Sequence, residues 1–243
     1  LSYYNLAEED IVTIFTTSGN HYISQCVTDV INNFCGWSRE IQDKTKVILI
    51  NHEFGYPFNG LLELKKTGLP IIEDCAHSFF STDRYNSIGR TGDFIIYSFP
   101  KIFPVQVGGL IVSTRYDIGK NVDNLSSGLL QYIKNVLSEH ISTKDEIVSR
   151  RIFNYQELKS RFEDMDMPER FRLTDFIVPG VFMFRTDKYN FDLTDLRKHF
   201  WAHGIQSSVF YGEKAFFIPV HQKLQESDLD YFYEVMKTFI KKR

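Results

Sequence analysis

The sequence predicts an α/β fold: a mostly parallel sheet in the N-terminal half and a smaller α+β unit in the C-terminal half. Three observations predict it. Short β-branched runs alternate with amphipathic stretches as far as Ser113. One of those runs, Val47-Ile48-Leu49-Ile50, is apolar without a break, as in strands buried on both faces. Beyond Asp123 the pattern changes to long, charge-rich helical periodicity before strands return.

The elements follow in order. Ile11 to Phe15 is brief and β-branched and predicts a strand; Tyr22 to Phe34 predicts a helix, with Ile23, Cys26, Val27, Val30 and Ile31 at helical spacing. Val47 to Ile50 is a strand, Phe58 to Lys66 a helix ended by Gly68-Leu69-Pro70, and Ile71-Ile72 a second buried run. Asp93 to Ser98 and Gly109 to Ser113 read as two further strands. Asp123 to Phe162 is helical, Val178 to Thr186 a strand, Leu193 to His203 a helix and Ile205 to Phe210 a strand. Glu226 to Lys241 closes the chain as an amphipathic helix whose apolar face carries Leu229, Phe232, Val235, Met236 and Phe239. Two domains are expected, residues 1–122 as the larger and 123–243 as linking helices plus the smaller.

Composition narrows the function. In 243 residues, 43% are hydrophobic and 24% charged, which excludes disorder and fibrous classes. A net charge of −3 gives no basic field for nucleic acid or an anionic membrane, and no apolar run reaches the ~18 residues of a membrane span. Cys26, Cys35 and Cys75 form no CxxC pair, so buried, reduced thiols in a cytoplasmic protein are expected. The first residue is Leu1, which points to a processed chain or a piece of a longer one.

Ligands of open α/β sheets bind beyond the carboxyl ends of the strands. Three such ends are polar here: Asn51-His52-Glu53, Glu73-Asp74-Cys75-Ala76-His77 and Ser98-Phe99-Pro100-Lys101. A lysine leaving a buried strand can form a Schiff base where burial favours its neutral amine. Ser98, three residues earlier, could share its pocket and hold a phosphate oxygen. Asp74 could pair with a protonated pyridine nitrogen, and His77 could reach a ring oxygen. Together these are the requirements of pyridoxal phosphate. Each has a plainer reading: a surface lysine, an Asp cap, ordinary turn residues, and a Gly108-Gly109 pair that only permits close backbone approach. A metal set of His52, Asp74 and His77 lacks HExxH-like spacing. Arg150-Arg151 reads as a solvated helix end, and His221-Gln222 as structural.

The ordered motifs resemble the DegT/DnrJ/StrS-type sugar aminotransferases of the aspartate-aminotransferase fold. Thr45 to Gly55 is similar to that family's "TKAIIPVHLYG" and Leu69 to His77 to "LPVIEDAAQ". Gly92-Asp93 with Ser98-Phe99 resembles "GD…SF", Lys101 stands at the family's distance before Gly108-Gly109, and Ile218 to Leu224 is similar to "LPVHQNL". The resemblance implies Lys101 as Schiff-base and proton-transferring lysine, Asp74 as partner of the pyridine nitrogen, His77 near the ring hydroxyl in place of a Gln, and Ser98 as phosphate ligand. It further implies pyridoxal phosphate as cofactor, a nucleotide-linked keto-sugar as substrate for surface polysaccharide, lipopolysaccharide or antibiotic synthesis, glutamate as amino donor, and a homodimer. The chain departs from the family in its shorter Ser-to-Lys spacing and in Val107, where the family has Glu. The family's N-terminal helices and Ser-Gly-Thr turn have no counterpart upstream of Leu1, so a PLP-transferase large domain without its first section is expected. The competing expectation is a degenerate relative that keeps the fold for a structural or binding role.

Overall fold

A computed structural model describes residues 1–118 and 126–241. The chain divides into two compact units, Leu1–Ser142 and Thr143–Arg243. The expected boundary at 122/123 lies outside the described residues.

The first unit is built on six strands: β1 (Ile11–Thr16), β2 (Gly36–Ser38), β3 (Thr45–Asn51), β4 (Ile71–Asp74), β5 (Phe94–Ser98) and β6 (Gly109–Ser113). Their order is β2-β1-β3-β4-β5-β6, parallel throughout except for the antiparallel pair β5/β6. The mostly parallel sheet is therefore as the sequence predicts. β3 shows why: Val47 and Leu49 enter one apolar cluster with Val12, Ile14 and Ile72, while Ile48 and Ile50 enter another with Ile71, Cys75 and Ile95. Alternate residues of one strand thus feed cores on both faces.

The helices of this unit are shorter than their periodicity predicts. α1 spans Gln25–Asn32, because Asn20 Oδ1 accepts the Tyr22 N–H at 2.9 Å and holds that stretch in a side-chain-closed turn. α2 spans only Leu61–Lys65, since Gly60 at φ 129° sets a conformation no helix continues through. The helical stretch expected over 123–162 divides into α3 (Ser127–Ile141), in the first unit, and α4 (Lys144–Glu163), in the second; residues 123–125 lie outside the described ones.

The second unit packs α4, α5 (Leu193–Ala202) and α6 (Glu226–Lys241) with an antiparallel sheet of order β7-β9-β8. β7 is Val181–Arg185, β8 Ser208–Phe210 and β9 Ala215–Pro219; β9 was not foreseen. β8 starts later than expected because the Ile205 N–H closes the end of α5 on the Phe200 carbonyl. All five apolar residues expected on the closing helix are buried.

Two expectations are corrected. Arg150 and Arg151 are not a solvated end. Arg151, only 3% exposed, donates from Nε to Gln222 Oε1, and Arg150 donates to the Leu224 carbonyl. Cys35 and Cys75 are buried thiols, but Cys26 is exposed. Among the described residues no helix is long and apolar enough to cross a membrane.

Candidate active site

Parallel strands bring their carboxyl ends to one edge of the sheet, so Asn51, Asp74 and Ser98 end β3, β4 and β5 side by side. Register does the placing: Asn51 and Asp74 are partners across β3/β4, and Asp74 and Ile96 across β4/β5. Just past β5, Phe99–Lys101 form one turn of 3₁₀ helix, which returns the chain toward Gly108, whose carbonyl accepts the Phe99 N–H. A tight turn thus stands between Ser98 and Lys101.

Asp74 is half-buried. Its Oδ2 accepts the Asn51 Nδ2–H at 2.9 Å and its Oδ1 the Ala76 N–H at 3.0 Å. No helix follows Asp74, so it caps none. Burial pushes its carboxyl above the ordinary range, opposed by the Ala76 N–H, by the charge of Lys101 and, only when that ring is doubly protonated, by His52. Lys101 itself is exposed, so the burial expected to favour its neutral amine is not found in this unit. His77 lies half-buried in the turn after β4, its ring 5.7 Å from that of Phe54. Ser98 is half-buried opposite Gly109 in the β5/β6 pair. Gly109 is required there, because a Cβ would stand 2.5 Å from the Tyr97 carbonyl oxygen.

Beneath this edge lies a second carboxylate. Glu73 is fully buried and accepts the N–H groups of Gly89, Thr91 and Gly92 at 2.8, 2.9 and 2.6 Å. His52 Nδ1 accepts the Phe58 N–H, so its Nε2 carries the proton and donates to Glu73 at 3.2 Å. These bonds outweigh burial and hold the Glu73 carboxyl below its usual range. His52, Glu73 and Cys75 also stand within metal-ligand distance of one another. In this structure the His52 nitrogens and Glu73 oxygens are hydrogen-bonded to protein groups, and burial pushes the Cys75 thiol up. Among the described residues His52 is grouped with Glu73 and Cys75 rather than with Asp74 and His77.

Sequence reasoning marked Asn51 and Glu53 as polar strand ends without giving them roles. Asn51 binds Asp74, and Glu53 accepts the Ser18 N–H at 2.6 Å, fixing the loop after β1. The available signal was position: each lies at or just beyond the end of a buried apolar run.

Residues 37–128 match the DegT/DnrJ/EryC1/StrS aminotransferase family. A GDP-perosamine synthase of Escherichia coli O157:H7 is 33% identical over 112 residues, covering 43% of this chain and 29% of the synthase. The match thus spans less than a third of that relative. Among solved structures, the aminotransferase TlmJ from Streptoalloteichus hindustanus aligns over 98% of this chain and 81% of its own, with a TM-score of 0.75 and 14% identity. The sugar aminotransferase Spr1654 from Streptococcus pneumoniae, in its PLP form, aligns over 100% of this chain and 83% of its own, with a TM-score of 0.70 and 17% identity. These likenesses establish the fold. Residues 37–128 therefore match the DegT/DnrJ/EryC1/StrS aminotransferase family, and the chain shares the α/β fold of the aminotransferases TlmJ and Spr1654.

Proposed function

We propose that this chain belongs to a pyridoxal-phosphate-dependent aminotransferase. It would transfer an amino group from an amino acid, glutamate in this reading, to a nucleotide-linked keto-sugar, acting in the cytoplasm as a homodimer. The products would serve surface polysaccharide, lipopolysaccharide or antibiotic synthesis. One observation carries the reading: Asp74 ends β4 and Lys101 ends the turn just past β5, the neighbouring parallel strand, at the same edge of the sheet. The family match over this segment and the named activity of the GDP-perosamine synthase supply the sugar.

The residues present fit the cofactor. Each Asp74 oxygen already holds one donor and keeps a second lone pair for another, as a pyridinium N–H requires. Pyridoxal phosphate, when bound, supplies the electron sink for the carbanion formed at the substrate carbon. Asp74 would keep the pyridine nitrogen protonated. Ser98 Oγ would bind a phosphate oxygen, and His77 would meet the ring hydroxyl. Lys101 Nζ would hold the cofactor at rest and, once displaced, carry the proton between the substrate carbon and the cofactor. Alternating half-reactions would give ping-pong kinetics.

The exposure of Lys101 favours a second reading, a relative that keeps the fold without the chemistry. One experiment separates the two. The full chain is mixed with pyridoxal phosphate, reduced with borohydride and mapped by mass spectrometry. A pyridoxyl label on Lys101, lost in Lys101→Ala, supports the enzyme; a colourless, unlabelled chain overturns it.

A further inference from the structure

Asn51 closes β3 and is the register partner of Asp74, so both side chains rise from the same face at the same height. Its amide nitrogen lies 2.9 Å from Asp74 Oδ2, while the Ala76 N–H takes Oδ1. Two donors, one on each oxygen and from different segments, fix the plane of a carboxylate as well as its position. Neighbouring Ile50 and Ile72 are buried, leaving Asn51 the polar residue that β3 offers at this level.

We infer that Asn51 is a positioning residue for Asp74: its amide orients the Asp74 carboxylate and favours the ionised form that a protonated pyridine nitrogen needs. The inference rests on the cofactor reading above and extends it to a residue outside the expected set. Ionisation of Asp74 is contested. Burial opposes it, while the Ala76 N–H, Lys101 from the turn after β5 and, only when its ring is doubly protonated, His52 from the end of β3 support it. A further donor on the charged form weighs on the ionised side of that contest. Lose it, and a neutral Asp74 no longer stabilises the ring proton.

The test uses the full chain, without cofactor and then with it. Carboxyl carbons of aspartate are labelled with ¹³C, the Asp74 signal is assigned with Asp74→Asn, and its titration midpoint is followed in wild type, Asn51→Ala and Asn51→Leu. Leucine keeps the volume without the donor, so one variant remains informative if the other unfolds. Both should raise the midpoint by about one pH unit. Measured a pH unit or more below the wild-type midpoint, pyridoxal phosphate should then bind about tenfold more weakly. A tie between β3 and β4 with no effect on the carboxylate would lower the unfolding temperature and leave the midpoint in place, which overturns the inference. If the midpoint moves in a protein that takes up no cofactor, the functional reading fails and the Asn51–Asp74 coupling stands.

Discussion

Replacing Glu73 by alanine removes the acceptor that three backbone N–H groups and the His52 ring share. The donors sit in a loop folded onto β4, and a buried or half-buried donor left without a partner costs about 1–3 kcal/mol. Even at ~1 kcal/mol each the loss comes to about 4 kcal/mol, a large share of the ~5–15 kcal/mol that holds a typical domain folded. Glu73→Gln should cost about half as much, because its amide keeps one acceptor oxygen and turns an N–H toward donors on the other side. The His52 ring cannot adapt freely, since its Nδ1 is needed by the Phe58 N–H. The lowered Glu73 carboxyl adds a pH signature. Its contribution is complete above the unfolded carboxyl value of ~4.3 and fades as pH falls through the folded one, so acid should narrow the gap between wild type and both variants. Urea unfolding measures the cost, and amide exchange at Gly89, Thr91 and Gly92 localises it, with protection falling by about a thousandfold in Glu73→Ala. Unchanged protection at those three amides, with an unfolding midpoint within ~0.3 M of wild type, would refute the argument.

Other outcomes follow from the same reasoning. Gly89→Ala should cost ~2 kcal/mol or more in thermal unfolding, since φ is 71° and the new Cβ would stand 2.1 Å from the Tyr97 hydroxyl. Asp74→Asn should abolish cofactor binding yet stabilise the fold at neutral pH. The folded carboxyl lies above its unfolded value, so wild type loses stability as pH rises between the two, and the variant's advantage should vanish below pH ~4 in urea titrations. Arg151→Ala should cost ~3 kcal/mol, while Arg151→Met, which refills the volume without the charge, should cost clearly less, as denaturant midpoints can show.

How much of this was legible in the sequence depends on whether the deciding contact is local. β3 could be read because its four-residue apolar run has to be buried on both faces, and it is. The closing helix could be read because its stripe repeats every three to four residues. β9 could not, since its five residues pair with β7, thirty or more residues upstream, as well as with the short β8, and only that three-strand sheet defines it. The Asn51–Asp74 bond is likewise a matter of register between separate runs. Arg151 was misread for a different reason. It lies on the buried stripe of α4 with Ile147, Tyr155, Leu158 and Phe162, so the helical period placed it inside while its charge argued for outside. Its partners, Gln222 and the Pro179 carbonyl, come from distant segments that the local pattern does not reveal. The candidate site was more accessible, because the edge where parallel strands end is set by topology alone. What topology does not set is enclosure: Lys101 reaches the right edge and remains exposed.

Glu73 and Asp74 show how one strand end can serve both fold and chemistry. They are consecutive, so the alternation of β4 sends their side chains to opposite faces. Glu73 meets three backbone N–H groups and a histidine proton, and its carboxyl is held low. Asp74 meets one backbone N–H and one amide, and burial holds its carboxyl high. Saturated by donors, Glu73 has no lone pair to offer a ligand and can only hold the 89–92 loop. Asp74 has room on both oxygens and bears a desolvation cost that a cationic partner would relieve. The pyridinium N–H of the proposed cofactor would be a cationic donor of that kind. Cofactor binding should therefore lower the Asp74 midpoint and leave Glu73 unchanged, and a Glu73 signal that moved with it would show that the two carboxylates are not independent.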